Sequence, residues 1–273
     1  MKNSMAMLVV LAATLFGGCR KEPAIAANPP RAMLNVFAAA SLTESFTEIG
    51  KRFEAANPEA GVEFNFAGSQ QLRAQIESGA AADVFASANE KEMDAAQSES
   101  LVKAETIHDF ARNRLIVIYP KSNPAKIAGL GDLAKAGIKI DVADASVPVG
   151  KYTLQMLDQL ANDPAFGADF KKRFLANVVS REENVKSVLT KVRLGEADAG
   201  VVYVTDVTAD AAKDVSSLNV PDRFNQIARY PIAVVARTSR PDLAEKFEDF
   251  VLSKDGRDIL AGYNFLPPEA DGH

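Results

Sequence analysis

Short apolar segments alternate along this chain with segments whose apolar residues recur every three or four positions. Residues 34–38 have the pattern of a buried strand, and Leu42, Phe46 and Ile49 after them mark one face of a helix. Repeated alternation of this kind predicts an α/β fold with mainly parallel sheets, and 273 residues suit two lobes of ordinary size. The other predicted strands are 62–66, 83–86, 114–119, 137–143, 178–179, 200–204 and 231–236.

Composition and charge exclude several classes of function. The chain has 31 Lys and Arg against 36 Asp and Glu, a formal net charge of −5, so it lacks the basic excess that neutralises nucleic-acid phosphates. His108 and His273 are too few and too far apart for a histidine metal site or a Ser-His-Asp triad. The sequence therefore argues against a nucleic-acid partner and against histidine catalysis.

The N-terminal segment has the features of an export signal. Lys2 precedes an apolar run at 5–16, which is too short to span a bilayer, and Gly17-Gly18-Cys19 follows. This segment resembles a bacterial lipoprotein signal, in which the cysteine is lipidated and becomes the first residue of the mature chain. We therefore expect a signal peptide at 1–18, lipidation of Cys19 and a tether at 19–32. Cleavage after Ala26 is the alternative, and both imply export.

Three predicted strand-to-helix junctions carry small or polar residues at the helix start. Ser41 and Glu44 fit a capping box, Ser69 follows Gly68 as a predicted cap, and Pro148 suits a first helical turn. A helix N-terminus presents unpaired N–H groups and partial positive charge, so several that converge would bind an anion without Lys or Arg. For any single junction taken alone, ordinary helix capping is the favoured explanation, because the S-x-x-E pattern is common.

Five segments in a fixed order carry a more specific signal. Over residues 33–267 the chain resembles the bacterial periplasmic molybdate-binding proteins, which hold a tetrahedral oxyanion between two lobes with main-chain N–H groups and hydroxyls. Gly68 and Gln70 stand where members of that family often carry Ser. The segments are VFAAASLTESF (36–46), FAGSQQLRAQIESGAAADVFASAN (66–89), VADASVPVGKYTLQML (142–157), REENVKSVLTKVRLGEADAGVVYVTD (181–206) and YPIAVV (230–235).

The resemblance implies an oxyanion site with contacts from both lobes. By position, Ser41 and Ser69 would give hydroxyl and backbone N–H contacts from one lobe. Val149 and Val185 would give backbone N–H contacts from the other lobe, and Tyr203 would give its phenolic hydroxyl. Asp144 and Asp206 are expected to be caps, because a carboxylate facing an oxyanion would repel it. Tyr230 is expected to pack at the lobe boundary.

The implied fold is the two-lobed type II periplasmic-binding-protein fold, in which each lobe is a mainly parallel sheet flanked by helices. We expect lobe 1 at 33–116 and 231–273, lobe 2 at 117–230, and crossing strands near 115–120 and 230–234. The implied protein is a monomer without a cofactor. It would lie in the periplasm or on the outer face of the cytoplasmic membrane, anchored through lipid on Cys19.

The implied function is capture of molybdate, and also tungstate, for delivery to a membrane ABC permease. Another oxyanion such as sulfate is an alternative ligand. Ferric ion is less favoured, because it requires several tyrosine, carboxylate or histidine ligands and Tyr203 is the only tyrosine expected at the site. An enzyme is the least favoured reading, since the sequence contains no nucleophile–base pair, P-loop or G-x-G-x-x-G motif.

Overall fold

The computed structural model describes residues 31–269, which belong to one compact unit built on two five-stranded sheets. The signal peptide, most of the tether, Cys19 and His273 lie outside the described residues. Among those described, no helix is long and apolar enough to cross a membrane. The strands are β1 (Ala32–Ala39), β2 (Ala60–Ala67), β3 (Val84–Ala86), β4 (His108–Asn113), β5 (Leu115–Pro120), β6 (Ile140–Ala143), β7 (Val178–Glu182), β8 (Ala199–Tyr203), β9 (Val215–Asn219) and β10 (Ala228–Val234).

The helices follow the strands in the predicted alternation. Their apolar faces pack onto the sheets, and burial of each large apolar side chain contributes about 1.5–3 kcal/mol. In the first lobe, for example, the rings of Phe53 and Phe247 lie 5.2 Å apart, edge to face. The helices are α1 (Thr43–Ala56), α2 (Ser69–Glu77), α3 (Glu90–Ser98), α4 (Pro148–Asn162), α5 (Phe170–Ala176), α6 (Val185–Arg193), α7 (Pro241–Leu252) and α8 (Lys254–Gly262).

Each lobe contains one mixed sheet. The first has the strand order β2-β1-β3-β10-β4 and the second β7-β6-β8-β5-β9. In the first sheet β1 is parallel to β2 and β3, whereas β10 is antiparallel to β3 and β4. In the second, β6 is parallel to β7 and β8, whereas β5 is antiparallel to β8 and β9. Four strands of each sheet therefore run in one direction, as expected for mainly parallel sheets, and a single strand, β10 in the first sheet and β5 in the second, runs against them and makes the sheet mixed.

The chain passes between the lobes at two places. The first sheet ends at Asn113 in β4 and the second begins at Leu115 in β5, so Arg114 alone joins them. The return runs through 220–227, from β9 to β10. The segments expected to cross, 115–120 and 230–234, each lie wholly within one sheet. The change of sheet thus falls a few residues before the expected lobe limits of 116 and 230.

Two strands next to these crossings were not expected from the sequence. Strand β4 reads HDFARN and β9 reads VSSLN, and neither has a long apolar run or a clear two-residue alternation. Each lies at the edge of its sheet, where one side has no pairing strand. An edge position needs less apolar burial, so the hydrophobic pattern that identifies central strands is weak here.

Candidate anion-binding site

A small cavity lies between the lobes, where the carboxyl ends of several strands from both sheets meet. About 210 Å³ of space between its walls is not filled by atoms, and part of that space is open to solvent. All five residues that the sequence analysis singled out line this cavity, and none of the lining residues described carries a charge. They are Ala39, Ala40, Ser41, Ala67, Gly68, Ser69, Ala88, Val147, Pro148, Val149, Asn184, Val185 and Tyr203.

Three helices begin at the cavity and present backbone N–H groups to it. Ser69 and Val185 are the first residues of α2 and α6, and Val149 is the second residue of α4. Among residues 31–269, no acceptor receives the backbone N–H of any of the three. The first N–H groups of a helix lack intrahelical acceptors and carry partial positive charge, so this arrangement suits an anion.

The start of α4 depends on a close approach of backbone at Gly150. A Cβ added there would lie 2.0 Å from the carbonyl oxygen of Asp144. Asp144 accepts hydrogen bonds from the N–H and the hydroxyl of Ser146, and these bonds lower the pKa of its carboxyl. Asp144, which was expected to be a cap, does not cap α4: the N-cap is Val147, without a side-chain cap bond, and the carboxylate of Asp144 binds Ser146 in the loop before the helix.

The hydroxyls of Ser41 and Ser69 do not bind the N–H groups of the helix ends that they were predicted to cap. Ser41 lies in a 3₁₀ turn before α1, and its Oγ is 2.9 Å from the Oη of Tyr230. Ser69 Oγ accepts the backbone N–H of Ala88 at 3.0 Å. The predicted capping role of both serines is therefore wrong. Residues distant in the sequence bind these hydroxyls, whereas the prediction considered only the residues next to each serine.

Tyr203 ends β8 with its side chain fully buried. Burial raises the pKa of its hydroxyl well above the usual value, so the group stays protonated as a donor. Its Oη has no hydrogen-bond partner among the described residues. Its backbone N–H donates to Asp206 at 3.0 Å, which confirms the expected capping role of that carboxylate. An unpaired buried hydroxyl costs about 1–3 kcal/mol, which an acceptor in the cavity would offset.

Charged groups lie beside the cavity and compensate one another. Lys186, next to Val185, contacts Glu44 of the first lobe at 2.7 Å and Asp206 of its own lobe at 3.1 Å. Burial by itself would lower the pKa of Lys186, but these two carboxylates raise it. Lys186 is therefore a charged link between the lobes. Glu44, predicted to reach back in a capping box, serves this link instead.

A second set of contacts joins the lobes at the start of α2. Gln70 Nε2 donates to the carbonyl oxygen of Glu183 at 3.1 Å, and Gln71 Nε2 donates to its carboxylate at 2.9 Å. A Cβ added at Gly68 would lie 2.5 Å from that same carbonyl oxygen. The absence of a side chain at Gly68 is what lets the second lobe approach this closely.

Sequence reasoning missed Asn184 and Ala88 in the lining and Asn113 behind it. Asn184 Oδ1 accepts the N–H of Ser187 and so caps α6, a role that its place before an apolar helix face could have revealed. Ala88 donates its backbone N–H to Ser69, and Asn113 donates its buried side-chain amide to Tyr230. No pattern in the neighbouring sequence indicates either contact. Tyr230 is fully buried at the lobe boundary as expected, with its ring 6.0 Å from that of Tyr203.

The described residues do not provide a conventional metal-ion site. Within 31–269, no group of three or more His, Cys, Asp or Glu side chains is placed to hold a cation. The cavity itself offers donors, whereas a cation needs acceptors. The chemistry of the lining fits a ligand that only accepts hydrogen bonds.

Comparison with known proteins agrees with this fold. Residues 34–266 match the family model described as bacterial extracellular solute-binding protein. The chain is 40% identical over 233 residues to the molybdate-binding protein ModA of Mycobacterium tuberculosis strain H37Rv, which covers 85% of this chain and 84% of the relative. It is also 24% identical over 270 residues to the putative ABC transporter substrate-binding lipoprotein YvgL of Bacillus subtilis, covering 97% and 98%.

A solved structure shares the fold. The periplasmic molybdate-binding protein of Azotobacter vinelandii superposes with a TM-score of 0.75 at 20% identity, covering 86% of this chain and all of that one. The two-lobed architecture with mixed sheets flanked by helices is therefore common to both molecules.

Proposed function

The chain belongs to the family of bacterial extracellular solute-binding proteins, and on that premise we propose that it captures molybdate between its lobes for delivery to a membrane ABC permease. The observation that carries this proposal is the uncharged cavity into which both lobes direct hydrogen-bond donors. We propose that the role is binding without chemical conversion, and the relatives, which are named as binding proteins, support it. Relatives named as molybdate-binding proteins support the same ligand.

The ligand would be held by Ser41 and Ser69 from the first lobe and by Val149, Val185 and Tyr203 from the second. Molybdate is a dianion without protons, so each of its oxygens accepts hydrogen bonds and every proposed contact is a donor. Three helix N-termini supply partial positive charge close to it. Because one chain provides all five contacts, the proposed acting unit is a monomer that requires no cofactor.

Selectivity follows from the donor-only lining. Phosphate keeps at least one proton near neutral pH, and that O–H would find no free acceptor, at a cost of about 1–3 kcal/mol for each unpaired group. Sulfate carries no proton but has shorter bonds, so a cavity shaped for the larger ion stretches its contacts. Tungstate nearly matches molybdate in size and charge, and we propose that it binds equally well.

Competition calorimetry at pH 7 tests this function. We expect molybdate and tungstate to bind with similar affinity, sulfate more weakly and phosphate most weakly. If sulfate binds more tightly than molybdate, the protein is a sulfate-binding protein and the proposed ligand is wrong. Phosphate binding as tightly as molybdate would contradict the donor-only site.

The lipid anchor at Cys19 is a further part of the proposal. The lipoprotein relative from Bacillus subtilis matches nearly the whole chain and supports this anchor. Replacing Cys19 by Ser in the full-length chain should move the protein from the membrane fraction to the soluble exported fraction. If the Cys19→Ser variant stays with the membrane, Cys19 is not the anchor.

A further inference from the structure

Behind the cavity, a chain of buried hydrogen bonds leads from the crossing between the lobes to Ser41. Asn113, the last residue of β4, contacts Tyr230, and Tyr230 contacts Ser41. All three side chains are at most 3% exposed. Hydrogen bonds in such an environment are not exchanged with water, so the direction of each donor is determined by its neighbours.

The orientation of the Asn113 amide follows from its three contacts. Its Oδ1 accepts the N–H of Arg114 at 2.9 Å, which identifies the other atom as the nitrogen. Nδ2 then donates one hydrogen to Thr205 Oγ1 at 2.8 Å and the other to Tyr230 Oη at 3.2 Å. Both amide hydrogens are used, so the Oη of Tyr230 receives a hydrogen bond on this side.

The hydrogen of the Tyr230 hydroxyl must therefore point elsewhere. Ser41 Oγ lies 2.9 Å away and can take either role in this bond, and we assign it the role of acceptor because the Oη of Tyr230 already receives the Asn113 amide. With Tyr230 as donor, Ser41 Oγ accepts on its buried side and its own hydrogen is left for the cavity. The Ser41 hydroxyl could by itself either donate or accept a hydrogen bond toward the ligand. The bond from Tyr230 leaves it to act as a donor.

Ser69 shows the same arrangement in a simpler form. Its Oγ accepts the N–H of Ala88 at 3.0 Å, and a backbone N–H can only donate. The hydroxyl of Ser69 is therefore also left to donate into the cavity. Both serines have a donor behind them, one from the backbone and one from a tyrosine that an asparagine orients.

We propose that Tyr230, oriented by Asn113, is a positioning residue that turns the Ser41 hydroxyl toward the anion as a donor and so favours fully deprotonated oxyanions. This inference rests on the proposed function, because it requires Ser41 to contact the bound anion. It adds a specificity determinant that does not line the cavity.

A double-mutant cycle between Tyr230→Phe and Ser41→Ala tests the proposal, with molybdate, sulfate and phosphate titrated by calorimetry at pH 7. Tyr230→Phe alone should weaken molybdate binding about ten-fold, as expected for one hydrogen bond to a charged group. In the Ser41→Ala background the same change should alter affinity less than about two-fold. Tyr119→Phe, at the far end of β5 from the site, is the matched control and should leave affinity unchanged.

The ratio of the affinities for molybdate and phosphate distinguishes this role from a packing defect, which would weaken the binding of both anions alike. Without the Tyr230 hydroxyl, Ser41 Oγ is free to accept, so phosphate should lose less affinity than molybdate does. Asn113→Ala acts on the same hydroxyl by another route and should weaken molybdate binding several-fold, again only while Ser41 is present. Thermal unfolding of each variant shows that the comparison is between folded proteins.

Two results would overturn the inference. Equal losses from Tyr230→Phe in the wild-type and Ser41→Ala backgrounds would mean that Tyr230 acts by packing and not through Ser41. Unchanged molybdate affinity in the Tyr230→Phe variant would show that Tyr230 has no role in anion binding. A wild-type protein that binds sulfate but not molybdate overturns the proposed ligand only, since the cycle run with sulfate still decides the role of Tyr230.

Discussion

At the scale of single residues, the site is defined by hydrogen-bond direction more than by charge. Tyr203 keeps its proton because burial raises its pKa, and its hydroxyl has no partner among the described residues. Lys186 is close but is compensated by Glu44 and Asp206. A donor without a partner is a stronger indication of an acceptor ligand than a neutralised cation is.

Tyr203→Phe should weaken molybdate binding by about ten- to a hundred-fold, because a hydrogen bond to a charged group contributes about 1.5–3 kcal/mol. Stability should be unchanged or slightly higher, since the variant removes an unpaired buried hydroxyl. Calorimetric titration and thermal unfolding measure the two effects. Equal affinity in the variant and the wild type would show that the Tyr203 hydroxyl does not contact the bound anion.

A second residue-scale prediction concerns pH and stability. Burial raises the pKa of the Glu248 carboxyl on α7 from 4.5 to about 8, helped by the nearby charges of Asp249 and Glu245. The folded state therefore holds this proton more tightly than the unfolded chain does. Stability from the neutral carboxyl is fully present below about pH 4.5 and is lost as pH rises to about 8.

Glu248→Gln should remove this loss, because glutamine is neutral at every pH. Urea unfolding should show nearly equal stability at pH 4 and an advantage of about 3–5 kcal/mol for the variant at pH 8.5, which corresponds to a pKa difference of about 3.5. Glu63→Gln, on an exposed position of β2, is the control and should show no such growth with pH. A variant advantage that is the same at both pH values would contradict the assignment.

At the scale of elements, the site is a meeting of helix starts, and Gly68 decides how closely two of them approach. Its missing side chain makes room for the carbonyl oxygen of Glu183, which precedes α6. A serine at 68 would not fit this arrangement without a shift, because its Cβ would lie 2.5 Å from that oxygen. The approach of α2 to α6 therefore depends on the absence of a side chain at this position.

Gly68→Ala should weaken anion binding, because the new Cβ would meet backbone of the other lobe only when the lobes are together. We expect a loss of about ten-fold in affinity, on the order of 1.4 kcal/mol, with little change in the unfolding temperature of the ligand-free protein. Gly262→Ala in α8, where a Cβ meets nothing within 4 Å, is the control. Unchanged affinity in Gly68→Ala would show that the lobes close without this contact.

At the scale of the whole molecule, two lobes joined at Arg114 and at 220–227 suit closure around a ligand. The donors come from both lobes, so neither lobe alone completes the shell, and ligand binding favours the closed arrangement. The contacts of Lys186 with Glu44 and of Gln70 with Glu183 exist only when the lobes meet.

Small-angle scattering should therefore show a smaller radius of gyration for the wild-type protein at saturating molybdate than without it. Gly68→Ala at the same anion saturation should show a smaller decrease, because its lobes cannot approach as closely. Identical scattering of the wild-type protein with and without ligand would argue against a hinged cleft.

Local pattern was sufficient for most strands and helices and for the types of residue at the site. Periods of two and 3.6 residues reflect burial of one face, which is a property of neighbouring residues. The resemblance then placed Ser41, Ser69, Val149, Val185 and Tyr203, and these residues do line one cavity. Their contacts with a ligand remain a prediction.

Only the tertiary structure decided which distant groups meet. Ser41 bonds Tyr230 at a separation of 189 residues, and Glu44 pairs with Lys186 across 142, although local spacing had suggested one capping box for both Ser41 and Glu44. The edge strands β4 and β9 and the one reversed strand of each sheet, β10 and β5, likewise depend on where the chain crosses between lobes. Such contacts depend on the path of the whole chain, whereas hydrophobic periodicity reports only on the burial of neighbouring residues.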